Sequence, residues 1–249
     1  MLSLEAIVLI TLALGAGAIV KGATGLGLPL VALPVLASFF DVRHAILIMS
    51  VPIIVTNIWQ IWDLRGSRDG TGFLIPMLSA GVVGIGLGTW LLAGVPAALL
   101  SLGLGVVLLA YIGLRLARPA LALSPRASMR FAAPVGLAAG FMQGATGLST
   151  PITIPFIHAH HLGREALVFA LSIMFLIFTI VQLIAIWGAQ LLIVSQLLEG
   201  VVALVPVLVF MPVGNWIGRN MSHRVFNAVV LCLLAAVAAN LILASIPHL

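Results

Sequence analysis

The chain has 249 residues, of which 63% are apolar and only 7% charged, and its mean hydropathy is +1.30. Soluble domains carry about a quarter charged residues, so a globule surrounded by water is excluded. The net charge of +5 does not indicate nucleic acid either, because the basic residues fall in short connections between apolar runs and form no stripe.

In chain order, the first apolar stretch is 2–20. It carries Glu5 and no basic residue before it, so it is expected to persist as a helix and not to be a cleaved leader. A Gly-rich stretch from Lys21 to Pro29 joins it to a second apolar arm at 27–40. Spans are predicted at 45–62, 72–93 and 97–116, the last two divided by the turn residues Gly94-Val95-Pro96. The second half repeats the plan, with arms at 131–143 and 149–158 and spans at 166–187, 191–218 and 225–246, broken at Gly188-Ala189-Gln190. A crossing helix needs about 20 apolar residues. Arms of about 10 to 14 residues rise only about 15–21 Å, short of a hydrocarbon core of about 30 Å, and are expected to be re-entrant hairpins or broken helices. The fold class is therefore all-α, a polytopic membrane protein. Cys232 stands alone in an apolar segment and reads as a small buried apolar side chain, with no disulfide framework and no metal spacing.

The two halves are related. Lys21-Gly22-Ala23-Thr24-Gly25-Leu26-Gly27-Leu28-Pro29 is echoed 122 residues later by Gln143-Gly144-Ala145-Thr146-Gly147-Leu148-Ser149-Thr150-Pro151. Pro34 and Pro155, Arg43 and Arg164, Ala45 and Ala166, and Gln60 and Gln182 follow at offsets of 121 or 122, and Gly84 and Gly88 match Gly214 and Gly218 at 130. The chain reads as a duplication, with domains at 1–122 and 123–249, a common transporter design.

Cytoplasmic loops collect Lys and Arg. Placing Arg65, Arg68, Arg115, Arg118, Arg126, Arg130, Arg164, Arg219 and Arg224 inside accounts for nine of eleven such residues, leaving Arg43 outside and Lys21 in the first hairpin. Each half then holds a hairpin and three crossings. The halves are expected to be inverted relative to each other, in the cell inner membrane, with both termini outward.

Inverted repeats bring matching broken helices toward a shared centre, where transporters place their substrate. Irregular backbone at that depth must be buried in protein or line a watery cavity. Pro29 and Pro151 suit the first turn of a new helix, whose free N–H groups and positive dipole end attract anions. The expected binding set is Lys21, Gly22, Thr24, Gly25 and Gly27 from the first tip and Gln143, Gly144, Thr146, Gly147, Ser149 and Thr150 from the second, with Thr24 and Thr146 as hydroxyl donors. Asn57, Gln60 and Gln182, with Thr179, lie at matching places in the following segments and are expected to line the site. Tight helix packing by small residues is the competing reading of the glycines. Glu199 is a candidate carrier of a coupling proton. His158, His160 and His161 read as a solvated loop or a pH-sensitive gate.

The doubled Gly-Ala-Thr-Gly pattern followed by proline, the Arg-x-Ala pairs at 43–45 and 164–166, and the late Gly-x3-Gly of each half resemble the sulfite exporter TauE/SafE family, also called the 4-toluene sulfonate uptake permease family, over nearly the whole chain. That resemblance implies transport of a small sulfur-containing oxyanion, sulfite or an organosulfonate, in either direction. The second copy departs from the pattern, with Ser149-Thr150 in place of Gly27-Leu28 and Gln143 in place of Lys21. The expectation is a secondary transporter working by alternating access, coupled to protons or to the membrane potential, with the lipid bilayer as its surroundings and no cofactor, metal or nucleic acid. An anion channel and a membrane accessory subunit are the alternatives. No nucleotide-binding motif and no nucleophile–base or paired-acid constellation suggests an enzyme.

Overall fold

The computed structural model describes residues 4–117, 123–220 and 222–248, so Arg118 and the expected junction of the halves at 122 lie outside the described residues. Among the described residues the chain is all helix. The order is α1 (Leu4–Thr24), α2 (Leu28–Phe39), α3 (Val42–Asp63), α4 (Leu74–Gly94), α5 (Ala97–Ala117), α6 (Pro125–Thr146), α7 (Thr150–His158), α8 (Arg164–Gly188), α9 (Val194–Asn220) and α10 (His223–Ser245), closed by a 3-10 turn at Ile246–His248. Seven of these, α1, α3, α4, α5, α8, α9 and α10, contain stretches long and apolar enough to cross a bilayer. The protein is a polytopic helical membrane protein, as its composition predicts. Trp59, Trp62, Trp90, Trp187 and Trp216, all near helix C-termini, are exposed, as tryptophans at a membrane–water boundary are.

Two expectations need correction. The first arm of the second hairpin is not a short segment at 131–143 but a 22-residue helix, α6, about 33 Å long at 1.5 Å per residue. Its start is fixed by Ser124, whose side chain accepts the Ala127 N–H, and by Pro125 in the first turn. Arg126 and Arg130 occupy its opening turns, where long basic side chains reach back to water. Each hairpin is thus unequal: a long helix enters, and a short one of 12 residues (α2) or nine (α7) follows. Cys232 is exposed on α10 and not buried.

The described chain forms two compact units. One holds α1, α2, α3 as far as Pro52, α5, α9 and α10; the other holds α3 from Ile53, α4, α6, α7 and α8. Each unit therefore draws helices from both sequence halves, and the boundary inside α3 falls at a proline, which has no N–H to donate to the helix. In the first unit α1 lies along α9, with α2 against α1 and α10; in the second α6 lies along α4, which also meets α8. These helix pairs are the same interface made twice. A Cβ on Gly214 would lie 2.2 Å from the Ile19 carbonyl and one on Gly218 2.7 Å from Ala23, while one on Gly84 would lie 2.2 Å from the Leu137 carbonyl and one on Gly88 2.1 Å from the Phe141 carbonyl. The late Gly-x3-Gly of each half is the contact stripe of a close helix pair, and it grips the entry helix of the other half's hairpin.

Candidate functional site

Both Gly-rich stretches are three-residue interruptions between helices. α1 ends at Thr24 and α2 begins at Leu28; α6 ends at Thr146 and α7 begins at Thr150. Gly25 (φ 80°) and Gly147 (φ 74°) are left-handed, a conformation glycine adopts without a Cβ penalty. Their N–H groups donate to the Lys21 and Gln143 carbonyls, each at 2.7 Å, which closes the helix C-terminus in the αL manner. The threonine before each glycine fastens the break from the side. Thr24 Oγ1 lies 2.8 Å from the Val20 carbonyl and accepts the Leu26 N–H at 3.1 Å. Thr146 Oγ1 donates to the Met142 carbonyl at 2.9 Å and accepts the Leu148 N–H at 3.3 Å. These hydroxyls close local backbone bonds, so the further hydroxyl donors at the second break are those of Ser149 and Thr150.

The first member of each motif serves packing. A Cβ on Gly22 would lie 2.1 Å from the Met211 carbonyl of α9, and one on Gly144 2.4 Å from the Ile85 carbonyl of α4. Gly27 is left-handed (φ 97°), whereas Ser149 at the matching place is right-handed (φ −98°, ψ −10°). The serine is therefore tolerated where the second break relaxes its backbone.

In the first unit the break sits beside Lys21, in the last turn of α1 and buried. It is the only charged side chain among the buried described residues. In the second unit the surroundings are polar but uncharged. Gln143 Nε2–H donates to Gln182 Oε1 at 2.9 Å, and Gln182 Nε2–H returns to the Gln143 carbonyl at 2.7 Å, so α8 clasps the last turn of α6. Ser172 Oγ–H donates to Gln60 Oε1 at 3.0 Å, and Asn57 and Thr179 are buried. Sequence reading overlooked Ser172, although Ser50 precedes it by the same 122 residues as the other matches, and Thr89, which follows Gly88.

Three hydroxyls in this unit are buried without a hydrogen-bond partner: Ser149 Oγ, Thr150 Oγ1 and Thr89 Oγ1. Leaving a buried hydroxyl unsatisfied costs about 1–3 kcal/mol, and such groups in a native structure call for an explanation. Ser149 and Thr150 stand at the start of α7, where the helix dipole is positive; Pro151 has no N–H and the Ile152 and Thr153 N–H groups both donate to the Ser149 carbonyl at 3.1 Å, so the donors there are the two hydroxyls and the Thr150 N–H. Together these groups are a donor set suited to a small anion. Thr89 packs on the last turn of α6, its backbone nitrogen lying 2.7 Å from where a Cβ on Gly144 would be.

The histidine group is not uniformly solvated. His158 and His161 are exposed, but His160 stacks on Phe73, with ring centroids 3.9 Å apart, and its Nδ1 lies 2.8 Å from the Phe156 carbonyl while Nε2 meets the Ser128 hydroxyl. Burial pushes its pKa below the ordinary imidazole value, against the opposing pull of the Phe156 and Ile157 carbonyls.

Residues 9–241 match the sequence model of a family described as Sulfite exporter TauE/SafE. No curated protein and no solved structure matches the chain.

Proposed function

The chain belongs to the sulfite exporter TauE/SafE family of membrane transporters for sulfur anions, and from that premise we propose that it carries sulfite or a closely similar sulfur oxyanion by alternating access, handling the anion at its two helix breaks. One observation carries this reading: the unpartnered, fully buried hydroxyls of Ser149 and Thr150 at the start of α7. A tetrahedral or pyramidal oxyanion presents several acceptor oxygens and no obligatory donor, which is the complement of hydroxyl and N–H groups at a helix start. At the second break neutral donors hold an anion without forming an ion pair. The first break supplies the charge, since Lys21 is a cation within a membrane helix, where such residues are as a rule functional. The coupling force is the proton gradient or the membrane potential, and the Arg-rich connections face the cytoplasm of an inner membrane.

The test is flux of labelled sulfite in liposomes containing the purified protein. Saturable flux is expected, and Lys21→Gln should lower it about 10- to 100-fold, the factor that a charge-assisted contact of about 1.5–3 kcal/mol provides. Flux that never saturates would instead indicate a channel. Absence of flux, or an unchanged Lys21→Gln variant, would overturn the assignment.

A further inference from the structure

One titratable pair within the first unit lies outside the helix breaks. His44 Nε2, at the start of α3, is 2.6 Å from Glu199 Oε2 in the second turn of α9, and both side chains are largely buried, at 17% and 16% exposed. The sequence separates them by 155 residues. The chain around them is built to hold this contact. Asp41 caps α3, accepting the Arg43 N–H at 2.7 Å and the His44 N–H at 3.0 Å. Gly200, next to Glu199, lets α9 come so near α3 that a Cβ there would lie 2.7 Å from the Ile48 carbonyl, one turn beyond His44. Phe40 covers the imidazole, ring centroids 4.8 Å apart.

Glu199 also lines a cavity of about 20 Å³ shared with Ile7, Ile10 and Thr11 of α1 and with Val202 and Pro206 of α9. That volume holds about one water molecule. Of its lining residues Glu199 and Thr11 carry polar side chains, and Pro206 offers no N–H to the Val202 carbonyl one turn earlier. A buried water requires two to four polar partners, and Glu199, Thr11 and Val202 are the sources the lining offers. Glu199 thus stands between an imidazole and a water-sized space.

The pair is not a demand of the duplicated fold. At the matching place in the second unit, Glu165 stands where His44 does and accepts the Ser67 hydroxyl, at 3.0 Å on an exposed surface. Lys21, Asp63 and Arg219 lie at the far ends of α1, α3 and α9; the charged groups at the pair's own end of these elements are Asp41, engaged with the α3 backbone, Arg43, whose guanidinium donates to the Val95 carbonyl at 2.8 Å, and Glu5 in the exposed first turn of α1.

We propose that His44 and Glu199 together form the site that takes up and releases the coupling proton, exchanging it through water in the adjoining cavity. One proton adds to the neutral imidazole–carboxylate pair and is shared along the His44 Nε2–Glu199 Oε2 contact; its loss restores the single negative charge. The inference rests on the transport reading above and specifies where its proton binds.

The test compares two measurements on the same liposomes: exchange of labelled sulfite for unlabelled sulfite with no pH gradient, and accumulation of labelled sulfite driven by a pH gradient of either sign. For the parent both are expected. Glu199→Gln should keep exchange within about twofold and lose at least tenfold of the gradient-driven accumulation, and His44→Gln should do the same. If either variant unfolds in a thermal scan, the other decides, and Glu199→Asp, which keeps the carboxylate, should restore part of the accumulation. Normal exchange with gradient-driven accumulation intact in the variants overturns this proposal alone, as does a parent that exchanges sulfite but ignores the gradient. A parent that fails to exchange sulfite defeats the transport reading itself.

Discussion

Thr24 and Thr146 show how a single side chain makes a helix break tolerable in a membrane. A threonine hydroxyl bonding to the carbonyl four residues back bends a helix slightly. Here the same oxygen also accepts the N–H two residues ahead, at Leu26 and Leu148, so an amide of the broken segment is satisfied without water. Ser149 and Thr150 are the opposite case: buried hydroxyls that close no bond within the protein. His160 is a third kind of polar group, packed as the neutral ring with Nδ1–H on the Phe156 carbonyl. Its folded-state pKa is depressed by burial, so its contribution to stability is present above the unfolded imidazole value of about 6.5 and is lost as the pH falls through that value toward the lower folded one. His160→Gln should therefore flatten part of the fall in melting temperature between about pH 7.5 and pH 5. Melting curves of parent and variant with the same pH slope would contradict that role.

At the scale of elements, much of the helical plan was written in the sequence because its signals are local. Apolar runs bounded by charge located the spans, Gly94-Val95-Pro96 and Gly188-Ala189-Gln190 end α4 and α8 as read, and the doubled Gly-Ala-Thr-Gly marked both breaks, although α1 runs on to Thr24 and α6 to Thr146, past the expected arm ends at 20 and 143. The beginning of α6 was missed because Arg126 and Arg130 look like loop residues when charge alone sets boundaries, although Ser124-Pro125 is a helix-start signal. Helix partners were not legible at all. α4 is apolar around its whole circumference, so periodicity cannot say which face meets which neighbour, and the contact of His44 with Glu199 joins distant segments. The candidate site was legible in its backbone, but not in the division of labour between Gly22 and Gly144, which pack, and Gly25 and Gly147, which turn. The packing role makes a controlled prediction within one helix. Gly88→Ala should destabilise the protein by about 1–3 kcal/mol or more, because the added carbon meets backbone. Gly86→Ala, where nothing lies within 4 Å, should be neutral or stabilise by up to about 1 kcal/mol. Equal melting temperatures for the two variants would remove the close-packing account.

For the molecule as a whole, two similar helix hairpins each pack closely on a helix from the other half of the chain. The two differ in chemistry. The first break keeps a buried lysine, Lys21, and the second carries amides and hydroxyls in its place. Such divergence fits a transporter that must attract an anion and also let it go. Equilibrium binding of labelled sulfite to the purified protein and to the Ser149→Ala/Thr150→Val double variant tests the central claim most directly. Affinity should fall about tenfold or more as two hydrogen bonds of about 1 kcal/mol each are removed, while the melting temperature of the unliganded protein holds or rises because two unsatisfied hydroxyls have gone. Unchanged affinity in a folded double variant would contradict the account.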